Sequence, residues 1–178
     1  MVEIETARLR LRPYTLDDLH NLAVILSNPE VMKYSPRGPI PKGQEKQVTR
    51  EILEYFIKHW DKYGFGVWAA IEKASGKLIG HCGLNCLSNS PQIELIYRLD
   101  QYYWNQGIAT EATKACLQYG FESVKLYKII AIASPKHIAS RRVMEKAGLK
   151  YEKDAHLYKK LDVVYYSISK DEWQPDYF

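Results

Sequence analysis

Tyr103-Trp104-Asn105-Gln106-Gly107-Ile108-Ala109-Thr110-Glu111-Ala112 is the stretch on which the reading of this chain turns. It follows a run with strand character at 93–99 and opens an amphipathic pattern with Ile108, Ala112, Ala115, Cys116 and Tyr119 on one stripe. The first turn of a helix leaves backbone N–H groups without intrahelical partners, and the helix dipole adds partial positive charge there. A phosphate or pyrophosphate is stabilised at such an end. Gly107 lets the backbone approach a ligand closely, and Ala109 keeps the second approach point small. The stretch reads as a phosphate-handling turn.

Outward from it, the spacing predicts alternating elements. Residues 8–13 alternate Arg and Leu as a strand with one apolar face. Thr15 and Asp18 form a capping box before a helix bearing Leu19, Leu22, Ala23 and Leu26, which ends at Asn28-Pro29. Prolines and glycines at 35–43 demand a loop. A second helix follows, with Val48, Ile52, Tyr55, Phe56 and Trp60 on one face, and stops at 64–66. Strands are predicted at 67–72, 78–87, 93–99, 128–133, 149–156 and 163–169, with a hairpin at Ala74-Ser75-Gly76. A short helix at 138–147 turns Ala139, Val143 and Ala147 inward and ends at Gly148. Strand meanders mixed with crossover helices imply one mixed sheet with helices on its faces. No G-x-G-x-x-G follows the first strand and no G-x-x-x-x-G-K-[ST] occurs, so dinucleotide and P-loop readings fail.

A chain of 178 residues with 46% hydrophobic and 26% charged residues is expected to form one domain, 1–178, and is neither disordered nor a coiled coil. No apolar run of about 18 residues exists, so no membrane span is expected. The first thirteen residues alternate charge with apolar side chains and lack a signal-peptide core, so the expected location is cytoplasmic. Cys82, Cys86 and Cys116 are too sparse for a disulfide framework. Cys82 and Cys86 share a strand face without a second Cys/His pair, so buried thiols and no metal site are expected. The net charge is +4, but eight basic side chains stand against three acidic ones between Lys136 and Lys160. That field suits a polyanionic ligand or a solvated helix face; nucleic acid is not the expected partner, because no recognition motif accompanies it.

Four segments together carry a resemblance to a known family. They are Glu5-Thr6-Ala7-Arg8-Leu9-Arg10-Leu11-Arg12-Pro13, Glu94-Leu95-Ile96-Tyr97, the Trp104 to Ala112 turn, and Ser140-Arg141-Arg142-Val143-Met144-Glu145-Lys146-Ala147-Gly148-Leu149. In this order and spacing the chain resembles the GCN5-related N-acetyltransferase (GNAT) superfamily, in its RimJ/RimL-like branch. The resemblance implies an α/β fold with a mixed, mostly antiparallel sheet of roughly six to seven strands, helices on both faces and a V-shaped splay between two central parallel strands. It further implies acetyl-CoA as co-substrate, with pantetheine along Leu95, Ile96 and Tyr97. The pyrophosphate would rest on Trp104, Asn105, Gln106, Gly107, Ile108, Ala109 and Thr110, with Arg141, Arg142 and Lys146 near the adenosine phosphates. The reaction implied is direct acetyl transfer to a primary amine, on a small molecule or a protein N-terminus, by a monomer or homodimer; a non-catalytic acyl-CoA-binding module is the alternative.

Within that resemblance Glu94 is the candidate base, with Glu72 behind it, and the backbone N–H of Ile96 or Tyr97 is the candidate oxyanion donor. Met144 stands where many members carry a tyrosine acid and cannot donate a proton. Ser140, one helical turn earlier, takes the acid or thiolate-bonding role. His137 replaces the usual asparagine, as an acid, a CoA contact or a solvated residue at a helix start. Asn105 and Ile96 stand where glycine is common, and Ile96 narrows the acetyl tunnel. Tyr34, Arg37, Trp60, Tyr97 and Tyr158 are candidates to line the acceptor groove, within loops at 34–43 and 152–162. The aromatic C-terminus from Trp173 is a candidate to pack on a partner.

Overall fold

The computed structural model describes residues 2–88, 90–157 and 161–175. The chain runs β1 (Ile4–Glu5), β2 (Leu9–Pro13), α1 (Leu19–Leu26), α2 (Pro29–Met32), α3 (Glu45–Tyr63), β3 (Val67–Glu72), β4 (Leu78–Cys86) and β5 (Ile93–Leu99). It continues α4 (Ile108–Glu122), β6 (Lys128–Ala133), α5 (Ile138–Lys146), β7 (Lys150–Leu157) and β8 (Leu161–Ser169). Eight strands form one sheet in the order β1-β2-β3-β4-β5-β6-β8-β7. The extra strand beyond the six or seven expected is β1, whose two residues are too few to show a period. Every neighbouring pair is antiparallel except β5 and β6. Among the described residues no helix is long and apolar enough to cross a membrane.

Strand alternation sorts the sheet into two faces. On one, Cys82, Leu84, Leu95, Leu99, Ile129 and Ala131 pack with Phe121 and Cys116 of α4 and Met144 of α5. On the other, Val67, Ala69 and Ile71 pack with Leu22 and Leu26 of α1, Leu53 and Phe56 of α3, and Tyr14. The Cys82 and Cys116 thiols are buried 3.4 Å apart, sulfur to sulfur. Gly80 sits where β3 and β4 shift register, and a side chain there would put Cβ 2.1 Å from the Arg98 carbonyl oxygen.

Several helix readings are corrected. The capping box is present, with the Thr15 N–H donating to Asp18 Oδ2 at 2.9 Å, but it opens a single 3-10 turn before α1. Arg12 grips the same carboxylate with two bonds of 2.7 and 2.8 Å, tying β2 to that turn. Pro29 starts α2 rather than only ending α1, because the Asn28 side chain accepts from the Glu30 N–H. The buried stripe of α3 is Thr49, Leu53, Phe56, His59 and Trp60, whereas Tyr55 is exposed and donates to Asn85 Oδ1. On α5 the buried residues are Ser140 and Met144, with Ala139 exposed. Trp173 packs on Phe121 of its own chain, ring centroids 5.4 Å apart. Residues 152–162, read as partly loop, are mostly the paired strands β7 and β8.

His81 is 4% exposed beneath Tyr14 and Phe56. Burial, with a smaller push from Arg98, lowers its pKa from 6.5 to about 3. The unfolded chain therefore binds this proton first, and the group's contribution to stability is full above 6.5 and lost as pH falls through about 3. In urea unfolding across that window, His81→Gln is expected to lose stability less steeply than the parent chain; parallel slopes would contradict this.

Candidate active site

The parallel pair β5–β6 is joined at one register position only, Glu94 with Ile130. Beyond it, residues 95–99 pair with β4 alone and residues 131–133 with β8 alone. The two strands therefore diverge toward their C-terminal ends. Backbone N–H and C=O groups on the β6 side of β5 lose their strand partner there, in reach of an extended ligand. This is the splay that the family resemblance implied.

The chain leaves β5 through Asp100 and a 3-10 turn at Gln101–Tyr103 and reaches the N-terminus of α4. Asn105 and Gly107 both have left-handed backbone, φ 59° and 76°. Asparagine is among the few side chains that tolerate this region, which accounts for its standing at a position usually held by glycine. A Cβ at Gly107 would meet only Arg8 Nη2, at 3.6 Å, so the turn is open on its ligand side. Trp104 anchors the turn by donating from Nε1 to the Leu99 carbonyl at 2.9 Å.

The turn is held from the far N-terminus. Glu111, in the first turn of α4, accepts from the Thr6 hydroxyl (2.6 Å), the Arg8 N–H (2.8 Å) and Arg8 Nε (2.7 Å). Arg8 Nη1 also donates to the Gln106 carbonyl at 2.7 Å. Burial pushes the Glu111 pKa up, but Thr6 and Arg8 outweigh it and hold the carboxyl below its ordinary value. Sequence reasoning quoted Thr6, Arg8 and Glu111 within motifs but missed their meeting; no local spacing signals a contact between residues so far apart in the chain.

Around the splay, the alternation of β5 sends its side chains to opposite faces. Tyr97 lies on the α4–α5 face and Ser140 reaches it from α5. The Tyr97 hydroxyl donates to the Ser140 carbonyl at 2.8 Å and lies 2.8 Å from Ser140 Oγ. A carbonyl only accepts, so the single Tyr97 proton goes there and the Ser140 hydroxyl donates to Tyr97. Burial raises the Tyr97 pKa far above its ordinary value, which keeps the phenol protonated. Glu94 and Ile96 point the other way, toward the face of α1 and α3. Glu94 has no hydrogen-bonding or charged partner among the described residues, and burial alone raises its pKa to about 7. His137, at the N-cap of α5, makes no capping bond and is stacked by Tyr34 with ring centroids 4.4 Å apart. Burial, then Arg98, lowers its pKa.

Other expectations separate from this place. Glu72 lies two strands away from β6's neighbour β5, bonded to Ser75 and Tyr103, so it is no base for a reaction at the splay. Trp60 is buried in the core, donating to the Val67 carbonyl, and lines no groove. Arg141 is occupied by the Tyr166 hydroxyl and the Pro135 carbonyl, while Arg142 is exposed. Tyr158, Lys159 and Lys160 lie outside the described residues.

A family model described as acetyltransferase (GNAT) domain matches residues 8–150. The chain belongs to the GNAT acetyltransferases. Within their reach, it is 33% identical to the uncharacterized protein YkkB of Bacillus subtilis, covering 92% of this chain and 94% of that one. It is 30% identical to the uncharacterized N-acetyltransferase YnaD of the same organism, covering 97% and 99%. A GNAT-family acetyltransferase structure from Bacillus anthracis superposes with a TM-score of 0.81 at 28% identity, covering 96% and 99%. GNAT acetyltransferases use acetyl-CoA and acetylate amine acceptors, and the mixed sheet with one parallel pair is the GNAT fold.

The raised pKa of Glu94 has a stability signature opposite to that of His81. A carboxyl held up at about 7 contributes stability fully below its ordinary 4.5, and that contribution is lost as pH rises through 7. Glu94→Gln is therefore expected to melt at a higher temperature than the parent at about pH 8, with the gap closing toward about pH 4. Calorimetric melts across pH check this; a variant less stable at every pH would contradict it.

Proposed function

We propose that this GNAT chain transfers an acetyl group directly from acetyl-CoA to a primary amine of a small molecule or a protein N-terminus. The observation that carries the reading is the division of labour across β5. A partly buried, unpartnered carboxyl lies on one face beside the splay, and a Tyr97–Ser140 hydroxyl pair lies on the other.

The fit of the co-substrate is supported by the open turn with two left-handed residues at a helix N-terminus, and by the strand edge at 95–99 left without a partner. The N–H groups of 104–110 hold the pyrophosphate, and the edge of Leu95, Ile96 and Tyr97 pairs with pantetheine amides as an added strand would. Acetyl-CoA supplies the thioester carbonyl that the amine attacks. Glu94, with a pKa near neutrality, takes the proton from the incoming amine, directly or through water. The backbone N–H of Ile96 or Tyr97 steadies the oxyanion. Ser140, turning its hydroxyl from Tyr97, donates a hydrogen bond to the departing sulfur, which leaves as the thiolate and takes its proton from solvent. Met144 is 1% exposed in the core and takes no part.

Because Glu94 must be deprotonated, kcat/KM is expected to rise with pH and level above about 7. Glu94→Gln is expected to lower kcat by about 10²–10⁴-fold and remove that limb, with acetyl-CoA affinity changed less than about twofold. Ser140→Ala is expected to lower kcat without weakening acetyl-CoA. An amine-acceptor screen with steady-state kinetics, beside calorimetric titration of acetyl-CoA, measures all three. Tight acetyl-CoA binding without transfer to any amine would instead favour a non-catalytic sensor.

A further inference from the structure

Arg98 lies on β5 two residues beyond Ile96, on the same face as Glu94, and is partly buried. Its side chain makes no hydrogen bond or ion pair among the described residues. Its neighbours are the cross-strand His81, the buried Tyr14 and, across the splay, His137 with Tyr34 stacked on it. None of these carries negative charge: His81 is kept neutral by burial, and Tyr14 donates its proton to the Gly80 carbonyl at 3.1 Å. Asp18, the carboxylate nearest to Tyr14 in influence, is already taken by Arg12. His81 Nδ1 is a second polar group in this patch, buried and without a hydrogen-bond partner. A guanidinium is charged at any physiological pH, and drawing one even partly out of water without a counter-charge is unfavourable. With its side chain unpaired and no carboxylate beside it, this arginine is open to an anion that arrives from outside.

The anion is not the pyrophosphate seated at the turn, because α4 packs on the opposite face of the sheet. We propose that Arg98 binds an anionic group of the acceptor, so that this acetyltransferase acts on amines that also carry a carboxylate or a phosphate. The inference rests on the transferase reading for its chemistry, but the anion site stands on the geometry alone. Glu94 and Arg98 share one strand face, four residues and roughly 13 Å apart along β5, so one acceptor lying along that face meets the base and the cation together. The same cation disfavours polyamines, whose charges it repels.

The test uses matched amines that differ in one charge: amino acids against their amides, and ethanolamine phosphate against ethanolamine. With acetyl-CoA, the parent enzyme is expected to favour the anionic member of at least one pair by about tenfold or more in kcat/KM. Arg98→Gln is expected to bring that ratio to about one, and Arg98→Lys, which keeps the charge, to retain part of it. Whether the carboxylate or the phosphate pair shows the preference identifies the acceptor class. Calorimetric titration of the same amines into the protein saturated with CoA reads the site without turnover. Transfer to no amine, alongside anion binding that Arg98→Gln abolishes, would defeat the transferase reading and leave the anion site standing. Equal use and equal binding of both members of each pair, or a preference that survives in Arg98→Gln, would overturn the proposal.

Discussion

Parallel strands β5 and β6 touch at Glu94 and Ile130 and then part, and the rest of the site is arranged around that parting. A parallel pair buried at the centre of a sheet would ordinarily satisfy its backbone groups along its whole length. Here the ladder stops after one position, and the neighbours β4 and β8 hold the two strands from the outside along their full length. The cost of the unpaired edge is borne by a sheet that is antiparallel everywhere else. What results is a slot with backbone donors and acceptors on its wall and a helix N-terminus at its mouth. Such a slot matches a long ligand with amides in its middle and phosphates at one end.

Rigidity at the mouth comes from an unexpected direction. The turn ahead of α4 is irregular and contains two left-handed residues, so its own hydrogen bonds define it poorly. Thr6 and Arg8, just ahead of β2, reach across to Glu111 and Gln106 and fix both sides of the turn. Glu111 also places a negative charge one turn into α4, where the helix dipole favours it. With Arg8 bonded to it, that carboxylate is charge-paired. The opening segment of the chain thus braces the turn without standing in it.

Much of this was legible in the sequence, and the limits have physical reasons. The turn could be placed because a glycine directly ahead of an amphipathic stripe marks a helix start, and the strands because 8–12 alternates Arg and Leu and 67–71 is an unbroken apolar run bounded by Gly66 and Glu72. The face of α3 was misplaced by one position because Tyr55, Val48 and Ile52 are apolar yet flank the stripe, while Thr49 and His59 are polar yet buried. His59 can be buried because it is satisfied on both ring nitrogens, by the Phe65 carbonyl and the Cys86 N–H. On α5, Ser140 displaces Ala139 as the inward residue because Tyr97 offers its hydroxyl a partner. Arg98 could not be seen at all. An arginine in a strand reads as solvent-facing, and only the fold reveals that His81, Tyr14 and His137 stand beside it with no carboxylate among them.

Amide-resolved hydrogen exchange along β5, with and without acetyl-CoA, tests the splay most directly. In the free protein, alternate N–H groups within residues 95–99 should exchange quickly while those bonded to β4 are protected, and acetyl-CoA should slow the fast set together with the amides of residues 104–110. Uniform protection of β5 in the free protein, or fast amides that acetyl-CoA leaves unchanged, would contradict the view that this gap is where the co-substrate pairs with the sheet.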